Sequence, residues 1–236
     1  MTAPRTHLVT GAGSGIGRAL ARRLAARGDR LVLLARTHSR ADEIQADLPG
    51  HACHVVDLAQ PDAVVTAGTL LAETERFDSV VHCAGVVHLG PVATLNHDAW
   101  QEQIQVNLTA PARLTRAVLP ALRAARGTLV LVNSTAIMSA NPGWSAYAAS
   151  KAGLRAFADA VRAEEAEHGV RVTSVYPSRT ATPMQARVHR QEGRAYDEGV
   201  FVSPESVAET ICHVIDLPAD STIPDLTVRT APRPSA

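Results

Sequence analysis

The sequence predicts an α/β fold: one domain over residues 1–236, built on a doubly wound parallel sheet of about seven strands. Two observations predict it. Short, continuously apolar runs of strand length alternate along the chain with longer stretches of helical periodicity, as expected when every strand is buried on both faces. The first of these runs leads into a glycine-rich turn followed by a helix. No internal repeat or linker interrupts the alternation, and 236 residues with 46% hydrophobic content can bury a sizeable core.

The first strand spans Thr6 to Thr10 and opens into Gly11-Ala12-Gly13-Ser14-Gly15-Ile16-Gly17. A helical pattern through Leu20, Leu24 and Ala25 closes at Gly28. Strand, glycine turn and helix form a Rossmann-like phosphate-binding unit, in which NH groups at the helix start face an anion and glycines admit it closely. Gly11, Ser14, Gly15, Ile16 and Gly17 are the candidate cofactor contacts. The strict G-x-G-x-x-G spacing is absent, because Ile16 stands where its third glycine would be.

The second strand is Arg30 to Ala35 and ends at Arg36-Thr37, with Arg40 nearby. At this place an acid suits a ribose 2′-hydroxyl and an arginine suits a 2′-phosphate. Arg36 and Thr37 therefore favour NADP(H) over NAD(H); the alternative is a solvated arginine at a strand end. A helix from Ser39 to Leu48 and a third strand from His51 to Val56 lead to Asp57-Leu58. Asp57 is either a contact to the adenine amino group or the N-cap of the helix from Gln60 to Arg76. The fourth strand, Asp78 to Cys83, ends in Ala84-Gly85, small enough for backbone to pass close to a cofactor.

His97 to Ala125 reads as one long amphipathic helix, with Trp100, Ile104, Leu108, Leu114, Val118 and Leu122 near one face. Asn107 lies inside it and on these grounds is an incidental polar residue. The fifth strand, Gly127 to Val132, delivers Ser134 to the carboxyl end of the sheet, where open α/β sheets place ligands. The next helix, to about His168, carries Tyr147 and Lys151. Four residues apart, they share one face, and a fixed cation lowers the pKa of a nearby phenol. Lys151 is the only lysine among 23 basic residues, the rest being arginine. A chain that uses arginine everywhere else keeps here the compact, rotatable ammonium that arginine does not supply.

Val170 to Tyr176 is the sixth strand, stopped by Pro177. The polar, arginine-rich segment 178–202 lacks periodicity and reads as a mobile lid or substrate loop. Ser203 to Ile215 is a helix with proline in its first turn, Leu226 to Val228 a last short strand, and 231–236 a loose tail.

Formal net charge is zero, which argues against nucleic acid or an anionic membrane as the main partner. Cys53, Cys83 and Cys212 are odd in number and lack metal-ligand spacing, so they read as buried thiols of a reducing compartment, and no metal site is expected. No signal peptide and no apolar run near the about 18 residues of a spanning helix is visible, so a cytoplasmic protein is expected.

Taken together these residues resemble the short-chain dehydrogenase/reductase family, from Thr10 to about Val228. Thr10-Gly11-x-x-x-Gly15-x-Gly17 is similar to its cofactor turn, and Ala84-Gly85 to the tail of its Asn-Asn-Ala-Gly motif. The resemblance assigns Asp57 and Leu58 to the adenine side and Pro177, Thr180 and Thr182 to the nicotinamide side. It makes Asn107, Ser134, Tyr147 and Lys151 the catalytic set, with Ser134 at the usual spacing before Tyr147. It implies hydride transfer between NADP(H) and a carbonyl or alcohol compound, and the mainly apolar or small residues from Ala136 to Trp144 and from Val86 to Leu89, expected near the reacting centre, suggest a small, largely apolar one. Tyr147 would act as acid or base, Ser134 would bond the reacting oxygen, and Lys151 would lower the phenol pKa and hold the nicotinamide ribose. Asn107 would complete a proton path through its backbone and a water.

The resemblance also implies a homodimer or homotetramer. Two departures stand out: His82-Cys83 replace the paired asparagines, and Pro177-Ser178 replaces Pro-Gly. Two rivals remain. A methyltransferase would carry an acid where this chain has Arg36. A regulatory protein that has retired its chemistry would keep the cofactor turn.

Overall fold

The computed structural model describes residues 4–232; part of the expected 231–236 tail therefore lies outside the described residues. Seven parallel strands form one sheet in the order β3-β2-β1-β4-β5-β6-β7. They are β1 (Thr6–Thr10), β2 (Arg30–Ala35), β3 (Ala52–Val55), β4 (Ser79–His82), β5 (Thr128–Val132), β6 (Arg171–Pro177) and β7 (Asp225–Val228). Strand order reverses at β1, which pairs with both β2 and β4. The crevice at this switch point opens at the carboxyl ends of the strands.

Residues alternate between two cores, as the two-residue period of a strand requires. Leu8, Val80, Leu129 and Leu131 face one cluster, and Val9, Val81 and Val130 face the other. The first cluster is closed by α3 (Pro61–Leu71), α5 (Ala110–Ala125) and α6 (Ser145–Glu165), through Val64, Leu71, Leu114, Val118, Leu154 and Val161. The second is closed by α1 (Gly15–Ala26), α2 (His38–Asp47) and α8 (Pro204–Ile215), through Leu20, Leu24, Ile44, Val207 and Ile211.

Three elements differ from the sequence expectation. The third helix stops at Leu71 rather than Arg76, and Thr74 and Glu73 close it with turns onto Leu71 and Leu70. The long helix from His97 is two α-helical pieces, α4 (His97–Ile104) and α5, joined by a π turn over Gln105–Thr109 that contains Asn107. Segment 178–202 is not structureless. It holds α7 (Pro183–Gln191), started by the Thr182 hydroxyl accepting from the Gln185 N–H and by proline in the first turn. Gly193 follows with φ +66°, a conformation glycine adopts without strain.

Candidate active site

A cleft of about 1330 Å³ runs along the carboxyl ends of the strands. Its first half is backbone. Gly11 has φ +71°, and a Cβ there would lie 2.8 Å from the Ala84 nitrogen, so only glycine lets β1 turn under β4. Gly15 has φ +52° and faces the Thr182 methyl, which a Cβ would meet at 2.9 Å. A Cβ on Gly17 would collide with the Gly11 carbonyl oxygen. Ser14 precedes α1 but gives it no side-chain cap, so first-turn N–H groups beside Ser14, Gly15 and Ile16 remain available to an anion in the cleft. This cradle fits a dinucleotide pyrophosphate.

Arg36 is exposed and lines the cleft beyond the cradle. Thr37 does not line it; its hydroxyl caps α2 by accepting the Arg40 N–H at 3.2 Å. The expected cofactor role for Thr37 therefore gives way to a helix cap. Arg40 lies over Gly13, donating to its carbonyl oxygen at 3.3 Å, and pairs with Glu43. Asp57 is not the N-cap of α3, where Gln60 stands. Its carboxylate accepts the Ala59 N–H at 3.1 Å, and Asp57 and Leu58 both line the cleft. Ala84 donates its N–H to the Thr10 hydroxyl at 3.1 Å. A Cβ on Gly85 would sit 3.2 Å from Asn107 Oδ1, 3.7 Å from Lys151 Nζ and 3.8 Å from Met184 Cε.

The second half is side chains. Tyr147 and Lys151 come from one face of α6 and Ser134 from the end of β5, and all three line the cleft. Burial raises the Tyr147 pKa above its ordinary value, and a hydrogen bond with the Ser134 hydroxyl pulls it back only in part. The sequence expectation, a phenol lowered by Lys151, is thus corrected for the protein by itself: loss of solvation outweighs the pull of neighbouring groups. It is Lys151 whose pKa falls, to about 8, because burial penalises its charge. Its Nζ donates to the Val132 carbonyl at 2.8 Å.

Asn107 is buried in the π turn, and its side chain is bonded on both sides. Oδ1 accepts the Val86 N–H at 2.8 Å, while Nδ2 donates to the Val86 carbonyl at 2.9 Å and to Ser150 Oγ at 3.0 Å. Ser150 Oγ donates in turn to the Tyr147 carbonyl at 2.7 Å. Asn107 therefore locks the β4 loop to the turn of α6 that carries the tyrosine. Sequence reasoning missed two such braces. Asn133 donates to the Lys151 carbonyl at 3.1 Å and accepts the Ser134 N–H at 2.9 Å, which fixes the serine against α6. Ser150, inside the Tyr-x-x-x-Lys stretch, is the other.

The two departures have structural answers. His82 is buried and bonds Thr115 Oγ1 of α5 at 3.0 Å, bracing β4. Burial first, and the Lys151 charge second, hold its pKa at about 3, so it stays neutral. The Cys83 thiol is pushed up to about 12 by burial. The three cysteines are free, and only Cys212 is fully buried. At the second departure the Ser178 N–H bonds the Val228 carbonyl at 2.8 Å, and Pro177 accepts from Thr135 Oγ1 at 3.4 Å. Pro177, Thr180 and Thr182 all line the cleft.

The far wall belongs to α7 and two loops. Gln191 accepts the Leu89 N–H at 2.8 Å, and the Gly90 N–H bonds the Gly143 carbonyl at 2.9 Å. Arg179 forms a two-pronged pair with Glu192 at 2.7 and 2.9 Å and lies 5.9 Å from the Trp144 ring centre. This wall is more polar than the sequence implied. Among the described residues no group of three or more His, Cys, Asp or Glu is placed to hold a metal, and no helix is long and apolar enough to cross a membrane.

The profile of the family described as short chain dehydrogenase matches residues 5–193. The chain belongs to the short-chain dehydrogenase/reductase family. Among similar members, oxidoreductase UcpA of Escherichia coli is 35% identical over 205 residues, covering 84% of this chain and 77% of that protein. Dehydrogenase/reductase SDR family member 7B of Bos taurus is 33% identical over 221 residues, covering 86% and 68%. Among solved structures, an actinorhodin polyketide ketoreductase with NADPH superposes with TM-score 0.87 at 28% identity, over 98% of both chains. A short-chain oxidoreductase of metagenomic origin in complex with NADP gives 0.81 at 31% identity, over 97% of this chain and 98% of that one. This short-chain dehydrogenase/reductase is thus an oxidoreductase of Rossmann-like fold.

Proposed function

We propose that the protein transfers hydride between NADP(H) and a small carbonyl or alcohol compound, with Tyr147 as the general acid and base. The observation that carries this reading is a single cleft joining an uncapped helix start, built for a pyrophosphate, to the Tyr147–Ser134 pair. The NADP and NADPH bound by similar structures support the choice of cofactor, as does Arg36. Gly11, Ser14, Gly15, Ile16 and Gly17 would hold the pyrophosphate, Arg36 the 2′-phosphate, and Asp57 and Leu58 the adenine. Ala84, Gly85, Pro177, Thr180 and Thr182 would flank the nicotinamide, and Tyr147 and Lys151 its ribose. When bound, NADP(H) supplies or takes up the hydride.

The raised pKa keeps the Tyr147 phenol protonated at neutral pH, ready to give its proton to a carbonyl oxygen that becomes a hydroxyl. Ser134 bonds the same oxygen and stabilises its developing negative charge. Lys151, an ammonium below about pH 8, offsets the phenolate left behind. Oxidation of an alcohol runs through the same groups in reverse. Val87, Tyr147 and Val188 form a small apolar cluster, with Leu89 and Met184 against it, so apolar groups surround the reacting end.

A panel of carbonyl compounds with NADPH, followed by loss of cofactor absorbance, tests the reading. Tyr147→Phe and Lys151→Arg are each expected to lose about 10²–10⁴-fold in turnover with folding intact. Near-wild-type turnover in both would remove Tyr147 and Lys151 from the chemistry, whereas a wild type that binds NADPH and reduces nothing would leave a regulatory protein instead.

A further inference from the structure

The substrate end of the cleft carries more positive charge than its own carboxylates neutralise. Arg179 is taken by Glu192 in a two-pronged pair. Arg194, at the rim, stands 4.0 Å from the same carboxylate. His88 and Glu102 pair at 2.8 Å on the opposite wall. Arg187 also lines the cleft and has no hydrogen bond or ion pair among the described residues.

Its position on α7 gives that charge a direction. Met184, Arg187 and Gln191 follow one another at helical spacing, and all three line the cleft. Met184 Cε marks the reacting end: it lies 3.8 Å from the point above Gly85 that is itself 3.7 Å from Lys151 Nζ. Gln191 marks the rim, where it ties α7 to Leu89. Arg187 lies between, about 4.5 Å further along the helix axis than Met184. An uncommitted guanidinium one helical turn from the chemistry matches a carboxylate geometrically, because its planar fork donates to two oxygens at once.

We propose that the substrate is a carbonyl compound bearing an anionic group, a carboxylate in the simplest case, a few bonds from the reacting carbon, and that Arg187 binds that group. The inference rests on the hydride-transfer reading for the location of the reacting carbon, and it names the substrate class for that site.

The test uses 5-oxohexanoate and its neutral methyl ester. Their binding to the protein saturated with NADP⁺, where no hydride is available, is read from the fluorescence of Trp144, which lines the cleft. Wild type should bind the acid about ten- to a hundredfold more tightly than the ester, the range for a charged hydrogen bond. Arg187→Gln should bring the ratio close to one, and Arg187→Lys should keep part of it. Equal binding of acid and ester, no binding of the acid, or an unchanged ratio in Arg187→Gln overturns the proposal. A weakened NADPH affinity in Arg187→Gln with the ratio intact also overturns it, since the arginine would then serve the cofactor. Turnover of both probes with NADPH separates the two readings. Selective binding of the acid without reduction keeps the anion site and removes hydride transfer, whereas equal reduction of acid and ester does the reverse.

Discussion

At position 151 an ammonium is held out of water with one backbone acceptor, the Val132 carbonyl, and that burial brings its pKa from 10.5 to about 8. The sign of the consequence follows directly. Between about pH 8 and 10.5 the unfolded chain binds a proton here that the folded chain does not, so this group's contribution to stability rises with pH across that window. Below about 8 the cost of the buried charge is present in full. Lys151→Met should therefore melt higher than wild type at pH 7, by ~2–4 °C for each kcal/mol relieved at this chain length. The gain should shrink as pH approaches 10, while turnover stays lost. Thermal melts at pH 7 and pH 10 check it; a variant less stable than wild type at pH 7 would mean that the bond to Val132 outweighs desolvation. Asn107 and Asn133 act in the opposite sense, as buried amides bonded through both oxygen and nitrogen that hold the residues around them in register.

Among the elements, the turn from β1 into α1 tolerates the least change. Gly11→Ala must place a methyl 2.8 Å from a backbone nitrogen at φ +71°, and neither atom belongs to a flexible side chain. The expected result is a loss of at least about 2 kcal/mol together with NADPH binding, measured by denaturant unfolding and a cofactor titration. This turn was plain in the sequence, because glycine spacing after an apolar run reports backbone geometry directly. Both the Arg30–Ala35 strand and the shared face of Tyr147 and Lys151 were legible for the same reason of periodicity. What escaped depends on contacts. The π turn at Asn107 has an ordinary helical sequence and changes only which carbonyl each N–H meets. In α7 the buried positions are mixed, Gln185 and His189 beside Val188, so no apolar stripe announced it, although Thr182-Pro183 and Gly193 mark its ends. The direction of the Tyr147 shift was hidden because it is set by burial, which a sequence spacing does not carry.

For the whole molecule, cofactor choice and assembly are the measurable properties. Arg36→Asp sets a carboxylate at the end of β2, which repels a 2′-phosphate and accepts from a 2′-hydroxyl. NADPH affinity should fall about 10–100-fold and NADH affinity should rise, by fluorescence titration; equal affinities in the wild type would remove the phosphate role of Arg36. The outer side of α6 exposes Ala149, Ala152, Ala156, Ala160 and Ala163, a bare face that lets a second helix approach closely. A symmetric dimer or tetramer is expected from light scattering at micromolar concentration, and a monomer would count against it. The parallel order of the sheet has a consequence in time as well as in space. Because every strand delivers its loop to the same end, the cleft draws on residues from Gly11 to Arg194, and the strands that carry them are adjacent in space in a different order from the chain. A ribosome must therefore release the chain as far as Arg194 before the first complete binding groove can exist. During refolding, recovery of helical signal should run ahead of recovered turnover, since no early fragment holds a working fraction of the chemistry.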